Sequence, residues 1–517
     1  MSHTSPPHDD ITQALAQDRL GIPGLLFFVM SAAGPLVNVA GVLTLAYAVT
    51  GNVGLPSAFI VLGLLLALFA VGYVTMSRHI PHAGAFYAYI SRGVSGAAGC
   101  SAAWISLLSY NVLQIALYGG VALGAPALGS QYLGVDLPWW VYALLLWALV
   151  AVLGVFRVDV NGRVLAVLLV IEVTVIVIYD VAFLAHPAHG YAVQMLSPTT
   201  FLKSGAGAIA AIAVLGFMGF ESSAVYAEES RRPRRTVPLA TYLAIAVIAV
   251  LYGGSAWALG VTTGADKIVA ESQPPAGGGL VFSLAGRYLG SGLGTLGQVL
   301  LMTSLAAMLI SIHNTTARYA FALGRERVLP GFFGSTSASG APRAGSLTQS
   351  ALGLITILIF AIGGFDPLVG LFYTGGVAGA LGIIALLLAS SVAVVLFFRP
   401  DRRGETLWHT VLAPILATIG LGVVLVLVLA NFATLLGVDS GSPLRWGIPA
   451  AFLVVAVAGW AYGIGLRARR PQIYAAIGLG AQSSAGQEVV QPAPAHFLPG
   501  PVAQDGPGQP WPRPPIA

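Results

Sequence analysis

Two carboxylates and two runs of small residues carry the chemistry this 517-residue chain has to offer. Of its 19 acidic residues, Glu172 and Glu221 are the ones set deep inside long apolar stretches. An ionised side chain at the centre of a bilayer costs about 3 kcal/mol or more, so acids placed there point to function by default. A carboxylate withdrawn from water holds its proton more tightly, which makes Glu221 and Glu172 candidates for proton coupling. Each has a plainer alternative: Glu221 as a cap on exposed backbone N–H groups, Glu172 as a structural hydrogen-bonding group. The small-residue runs are Ser31-Ala32-Ala33-Gly34-Pro35 and Gly216-Phe217-Met218-Gly219-Phe220-Glu221. Proline removes a helix donor and clashes with the preceding turn. Both runs therefore read as interruptions of helical segments, although kinking and close helix packing account for either one alone.

An interrupted helix leaves N–H groups unpaired on one side and C=O groups unpaired on the other. The N–H end attracts a carboxylate, and free carbonyls attract an ammonium group. Two facing interruptions would hold a zwitterion largely by main chain, without enzyme-like side chains. A polar patch of Tyr110, Asn111 and Gln114 either lines such a pathway or bonds neighbouring helices together. Ser304, Ser311 and Thr315, with carbonyls of the first break, form an alternative sodium site.

Other chemistries find little support. Gly292, Gly294 and Gly297 fit G-x-G-x-x-G, but that motif binds dinucleotides only after a strand in a βαβ unit, and here it opens an apolar segment. Asn314-Thr315-Thr316 lies inside another, which rules it out as a glycosylation acceptor. No phosphate-binding loop of the form G-x-x-x-x-G-K-[ST] occurs, so energy must come from an ion or solute gradient. Cys100 is the single cysteine, which excludes an intramolecular disulfide and a multi-cysteine metal site. His313 stands alone within a span and reads as a packing residue. The expectation is no enzyme, no cofactor and no metal. A channel is the rival class, and it would need oligomeric pore symmetry or selectivity rings.

The elements that must position these groups follow from composition. Apolar residues make up 57% of the chain and charged ones 8%, with a mean hydropathy of +0.84. Soluble domains carry roughly 25% charged residues, so most of this surface faces lipid. A crossing helix needs about 20 mostly apolar residues, and twelve segments qualify. They lie near 25–49, 55–76, 98–128, 138–156, 163–184, 206–227, 238–262, 292–323, 347–364, 370–398, 408–436 and 446–465.

Basic residues test that count, because cytoplasmic loops are enriched in Lys and Arg. With the N-terminus inside, the inner side receives Arg19, Arg78, Arg92, Arg157, Arg163, the Arg231–Arg235 cluster, and Arg318, Arg325, Arg327 and Arg343. It also receives Arg399, Arg402, Arg403, Arg467, Arg469 and Arg470, while the outer side receives only Lys203, Lys267, Arg287 and Arg445. An imbalance of 19 to 4 favours twelve spans with both termini cytoplasmic. The same scatter along the chain argues against nucleic acid as the partner of this pI ≈ 9.3 protein. Arginine outnumbers lysine 22 to 2, which suggests a GC-rich bacterial source and hence the bacterial cytoplasmic membrane.

The expected organisation is a cytosolic segment 1–20, a ten-helix core 21–400, two further helices in 401–470 and a tail 471–517. The core divides into halves 21–185 and 205–400, which places the two breaks in the first and sixth spans. Interrupted helices at matching positions of inverted halves point to a transporter's midplane site. The tail is rich in Pro, Gly and Gln, too poor in large apolar residues to fold. Its PGQPWPRPP stretch reads as a solvated tail, with a polyproline ligand as the alternative.

Three motifs in order carry a family resemblance. GFMGFESSAVYAEESRRPRRTVPLA from Gly216 resembles the sixth helix and loop of the amino acid–polyamine–organocation superfamily of permeases, through Phe217, Gly219, Glu221, Glu229, Arg231, Pro233, Arg234 and Pro238. Residues 72–94, with Pro81, Gly84 and Tyr87, resemble its second helix and following loop. Residues 312–330, with Asn314, Arg318, Arg325 and Pro330, resemble the end of its eighth helix. The resemblance spans roughly residues 20–470.

It implies an all-α integral membrane fold of 12 transmembrane helices, a leucine-transporter-like 5+5 inverted repeat with discontinuous helices 1 and 6 plus two extra C-terminal helices. It also implies alternating access with an amino acid or amine substrate and H+ or Na+ as the coupling ion. By analogy Ser31, Ala32, Ala33 and Gly34 meet the substrate carboxylate, and the backbone from Gly216 to Gly219 meets the amine. Where the arginine/agmatine antiporter branch has a gating tryptophan, this chain has Leu215, leaving Phe217 or Phe220 for that role. With no surplus of buried acids, a polyamine would lack counter-charges, which favours a neutral amino acid. Monomer and homodimer both remain open.

Overall fold

The computed structural model describes residues 15, 18–154, 158–273, 277–337 and 340–480. Its long helices follow the apolar stretches of the sequence. They are α1 (Ile22–Ala33), α2 (Leu55–His79), α3 (Gly96–Gly120), α4 (Trp139–Leu153), α5 (Val158–Ala185) and α6 (Ala206–Gly216). Then come α7 (Pro233–Thr263), α8 (Ser291–Arg325), α9 (Arg343–Gly363), α10 (Thr374–Phe398), α11 (Ala413–Ala430) and α12 (Leu444–Arg469). No strand occurs among the described residues beyond an isolated bridge between Leu20 and Ser230. The glycines of the apparent dinucleotide motif sit in the first two turns of α8.

Among the described residues, eleven helical stretches are long and apolar enough to cross a bilayer, and the chain is a multi-pass membrane protein. The stretch expected at 138–156 is shorter as a helix: α4 has 15 residues, fewer than the roughly 20 of a typical crossing helix. Arg157 lies outside the described residues.

Burial ranks the helices. In the first span, Ile22–Thr50, 83% of the most apolar window is buried, and in Ala206–Ala224 78%. Leu444–Arg469 buries only 17%. The two interrupted stretches are therefore interior, and the last helix lines the periphery. Helix α1 packs on α5, α7 and α8 and on the short 3-10 helix Phe220–Ala224.

The segment expected to open an unfolded tail begins with a helix, Pro471–Ala476, and continues to the buried Ile477. Residues 481–517, with the proline-rich stretch, lie outside the described residues, as do residues 1–14.

Candidate functional site

The first break is a single residue. Helix α1 ends at Ala33, Gly34 adopts φ 52° and ψ 71°, and the helix resumes at Pro35. Only glycine fits here. Its φ lies in the left-handed region, and a Cβ would fall 2.0 Å from Sδ of Met308. Pro35 has no N–H, so Leu36 offers the first free donor of the resumed helix. That donor is taken: Leu36 N–H donates to Oε1 of Glu172, which also accepts from Ser304 Oγ at 2.6 Å. The positive helix end thus meets a carboxylate of the protein itself. On the other side, the Ala33 carbonyl accepts from Tyr252 OH at 3.0 Å and from Nδ2 of Asn38. Ser31 Oγ is buried with no hydrogen-bond partner.

The second break is longer. Helix α6 ends at Gly216, Phe217 and Met218 close a tight turn, and Gly219 takes φ 108° before the 3-10 helix Phe220–Ala224. Gly219 N–H donates to Glu221 Oε2 at 2.9 Å, and Tyr110 OH donates to Glu221 Oε1 at 2.9 Å. Tyr73 OH reaches the Glu221 carbonyl at 2.9 Å. Glu221 therefore caps the break, and it is almost fully buried. The two breaks touch: a Cβ on Gly219 would lie 2.7 Å from that of Ala32 and 3.0 Å from the Ala33 nitrogen.

Beside this contact lies a cavity of about 130 Å³. Among the site residues expected from sequence, Ala32, Ala33, Tyr110, Gly219 and Glu221 line it. Ser31, Gly34, Gly216, Phe217 and Phe220 do not. Phe217 lies tilted against Phe59 at 5.7 Å and Phe220 meets Phe69 edge-on at 6.1 Å, and neither ring is part of the lining. Leu215 lines it instead, with Ile212 and Met218. Glu172 sits behind the first break, outside the lining. The polar patch on α3 divides, with Tyr110 on Glu221 and Gln114 on His313 at 3.2 Å. Asn111 turns back to the Leu107 carbonyl at 2.7 Å. His313 also meets Ser346 at 2.8 Å, a helix-packing arrangement.

Sequence reasoning missed Asn38, Ser222, Met308 and Ile312, which also belong to the lining. Asn38 had a signal, a polar residue one turn beyond Pro35. Met308 and Ile312 had none, since apolar residues on a membrane helix look alike. Asp180 was missed too; it accepts from Ser255 Oγ at 2.7 Å between α5 and α7. The three hydroxyls of the alternative sodium site go to different partners: Ser304 to Glu172, Ser311 to the Phe28 carbonyl and Thr315 to Tyr226.

One end of the molecule is closed by ion pairs. Arg318, buried, holds Glu229 through Nε and through Nη2 at 3.0 Å, and its guanidinium lies 4.7 Å above the Tyr226 ring. Arg325 grips Glu228 through two bonds of 2.8 and 2.7 Å, and Glu228 also accepts from Ala83 N–H at 2.9 Å. Burial pushes the Glu228 carboxyl up, but the bonds and charge of Arg325, with His82 and the Ala83 N–H, hold it below the ordinary value. Next to them Glu326 collects His82 at 2.8 Å, Tyr87 OH at 3.2 Å and the N–H groups of Gly478 and Gly480. The cavity runs the other way, along Val37, Val42, Leu45 and Val49 to Tyr373 and Leu435.

Residues 20–459 match the family described as amino acid permease. A lysine-specific permease of Lactococcus lactis subsp. cremoris (strain MG1363) is 24% identical over 363 residues, 64% of this chain and 68% of the relative. A branched-chain amino acid permease of the same strain is 23% identical over 335 residues, 61% of this chain and 69% of the relative. A branched-chain amino acid permease of Bacillus subtilis (strain 168) is 26% identical over 311 residues, 56% and 64% of the two chains.

Proposed function

Because the chain belongs to the amino acid permease family, we propose that it is a secondary active transporter of amino acids or related amines, working by alternating access in the cytoplasmic membrane. The scaffold in this reading is the twelve-helix, 5+5 inverted repeat, with α4 crossing as a short helix. The observation that carries it is the contact of the two breaks, Gly219 against Ala32, beside a cavity whose lining includes the Glu221 carboxylate.

In this reading Glu221 receives the substrate ammonium or a proton, one excluding the other. Its carboxylate accepts from Tyr110 and Gly219 and from its own backbone N–H, which leaves about one further lone-pair site. The segment from 220 to 229 carries Glu221 at the cavity and Glu228 and Glu229 at the closed end. Proton-coupled symport or exchange through Glu221, with Glu172 as second candidate, fits this layout better than sodium coupling. The hydroxyls a sodium ion would need bond to separate partners. In this reading the ion-paired end faces the cytoplasm, in keeping with the basic-residue count, and the cavity opens outward.

Uptake by proteoliposomes under an imposed proton or sodium gradient tests the proposal. Accumulation driven by the proton gradient, and lost in Glu221→Gln, is the expected result. Accumulation driven by sodium alone would refute the proton reading, and linear, non-saturating flux would indicate a channel.

A further inference from the structure

We infer that the substrate is an amino acid with a bulky apolar side chain and no second positive charge, so that lysine, arginine and polyamines are excluded. The inference rests on the transport reading above and names the solute class for that same cavity. The cavity lining holds one charged side chain, Glu221. Its carboxylate can receive one ammonium group beside the Gly219 and Tyr110 donors. A second cation would need a second acid. The nearest candidate, Glu172, is not in the lining, and its Oε1 already accepts from Leu36 and Ser304.

Position along the helices shows what a side chain would meet. Ala32, Ala33 and Gly219 mark the level of the breaks. One to two turns outward the walls are Val37, Leu113, Leu117, Ile212 and Leu215, with Met308 across from Gly34. These six offer a cation nothing beyond a thioether sulfur, a weak acceptor. The neutral polar groups of the same lining are Asn38, Ser222, Thr315 and Tyr373. Asn38 and Ser222 donate to the Ala33 and Gly219 carbonyls, Thr315 bonds Tyr226, and none of the four carries a negative charge. An unpaired ammonium or guanidinium there would lose its hydration without replacement. An apolar side chain gains instead, by roughly four-fold in affinity for each buried methylene. Smaller amino acids leave the outer wall unfilled.

Thermal stabilisation of the purified full-length protein, and competition for uptake, would be measured with leucine, methionine, phenylalanine, alanine, lysine, arginine and putrescine. Leucine, methionine or phenylalanine should stabilise and compete at least ten-fold more strongly than alanine, with lysine, arginine and putrescine inert. Lysine or arginine competing as well as leucine would overturn the inference and leave the transport reading standing. Silence across the whole panel would overturn that reading and the inference with it. Leu215→Ala should weaken leucine about ten-fold while changing alanine little. Leu215→Asp should admit lysine, and a well-folded Leu215→Asp protein with unchanged preference would also count against the proposal.

Discussion

Gly219 sits so close to Ala32 that a methyl group added to it would stand 2.7 Å from the Ala32 side chain. Its φ of 108° is one that other residues rarely adopt. The two interruptions of the membrane helices are therefore a single packed unit. Gly219→Ala should separate them and abolish substrate-induced stabilisation, with a loss of folding stability of about 1–3 kcal/mol. Unaltered uptake by this variant would show that the contact is dispensable.

Glu221→Gln removes the one negative charge of the cavity while keeping its shape. A charge-assisted hydrogen bond is worth about 1.5–3 kcal/mol, so binding of an ammonium-bearing solute should weaken ten- to hundred-fold. Tyr110→Phe, which removes only a donor to that carboxylate, should have the smaller effect. Calorimetric titration compares the two.

At the closed end, Arg318→Met leaves Glu229 buried without its partner. Breaking one side of such a pair costs about 3–5 kcal/mol. The double variant Arg318→Met/Glu229→Gln should recover much of that loss. Recovery, read by thermal unfolding in detergent, would separate the uncompensated charge from lost packing.

The Glu228 carboxyl is held below its ordinary value of 4.5 in the folded protein. The unfolded chain therefore binds this proton more readily, and stability falls as acid is added. The contribution of Glu228 is fully present above about pH 4.5 and disappears as the pH falls through its lowered folded value. Wild type should melt above Glu228→Gln at pH 7, and the two curves should converge below pH 4.5. A constant gap down to pH 3 would contradict this.

Glu326→Gln weakens the acceptor shared by His82, Tyr87 and the backbone of Gly478 and Gly480. Release of the C-terminal segment should follow, and trypsin should cut faster after Arg467 and Arg469. Timed digestion of both proteins, followed by mass analysis, reads this directly.

The sequence made the spans legible because lipid demands length and apolarity, and little else satisfies both. The breaks were legible as well, since Gly34-Pro35 and Gly219 have few other uses inside an apolar helix. Which side chain faces the cavity was not. The chain leaves α-helical geometry at Phe217, and the tight turn that follows rotates Phe217 and Phe220 onto Phe59 and Phe69. Spacing counted at 3.6 residues per turn could not anticipate that. The use of Glu172 was hidden for a different reason. Its donor, Leu36, is 136 residues away, and no local pattern links them. The short α4 shows that apolar length in sequence can exceed helical length in space.

The docking of Gly478 and Gly480 on Glu326 ties the stretch after helix Pro471–Ala476 to the C-terminal cap of α8. The helix that carries Arg318 and Arg325 thereby also carries the anchor of residues 478–480. Under the transport reading, a fluorophore attached at Gly480 would report any displacement of that helix.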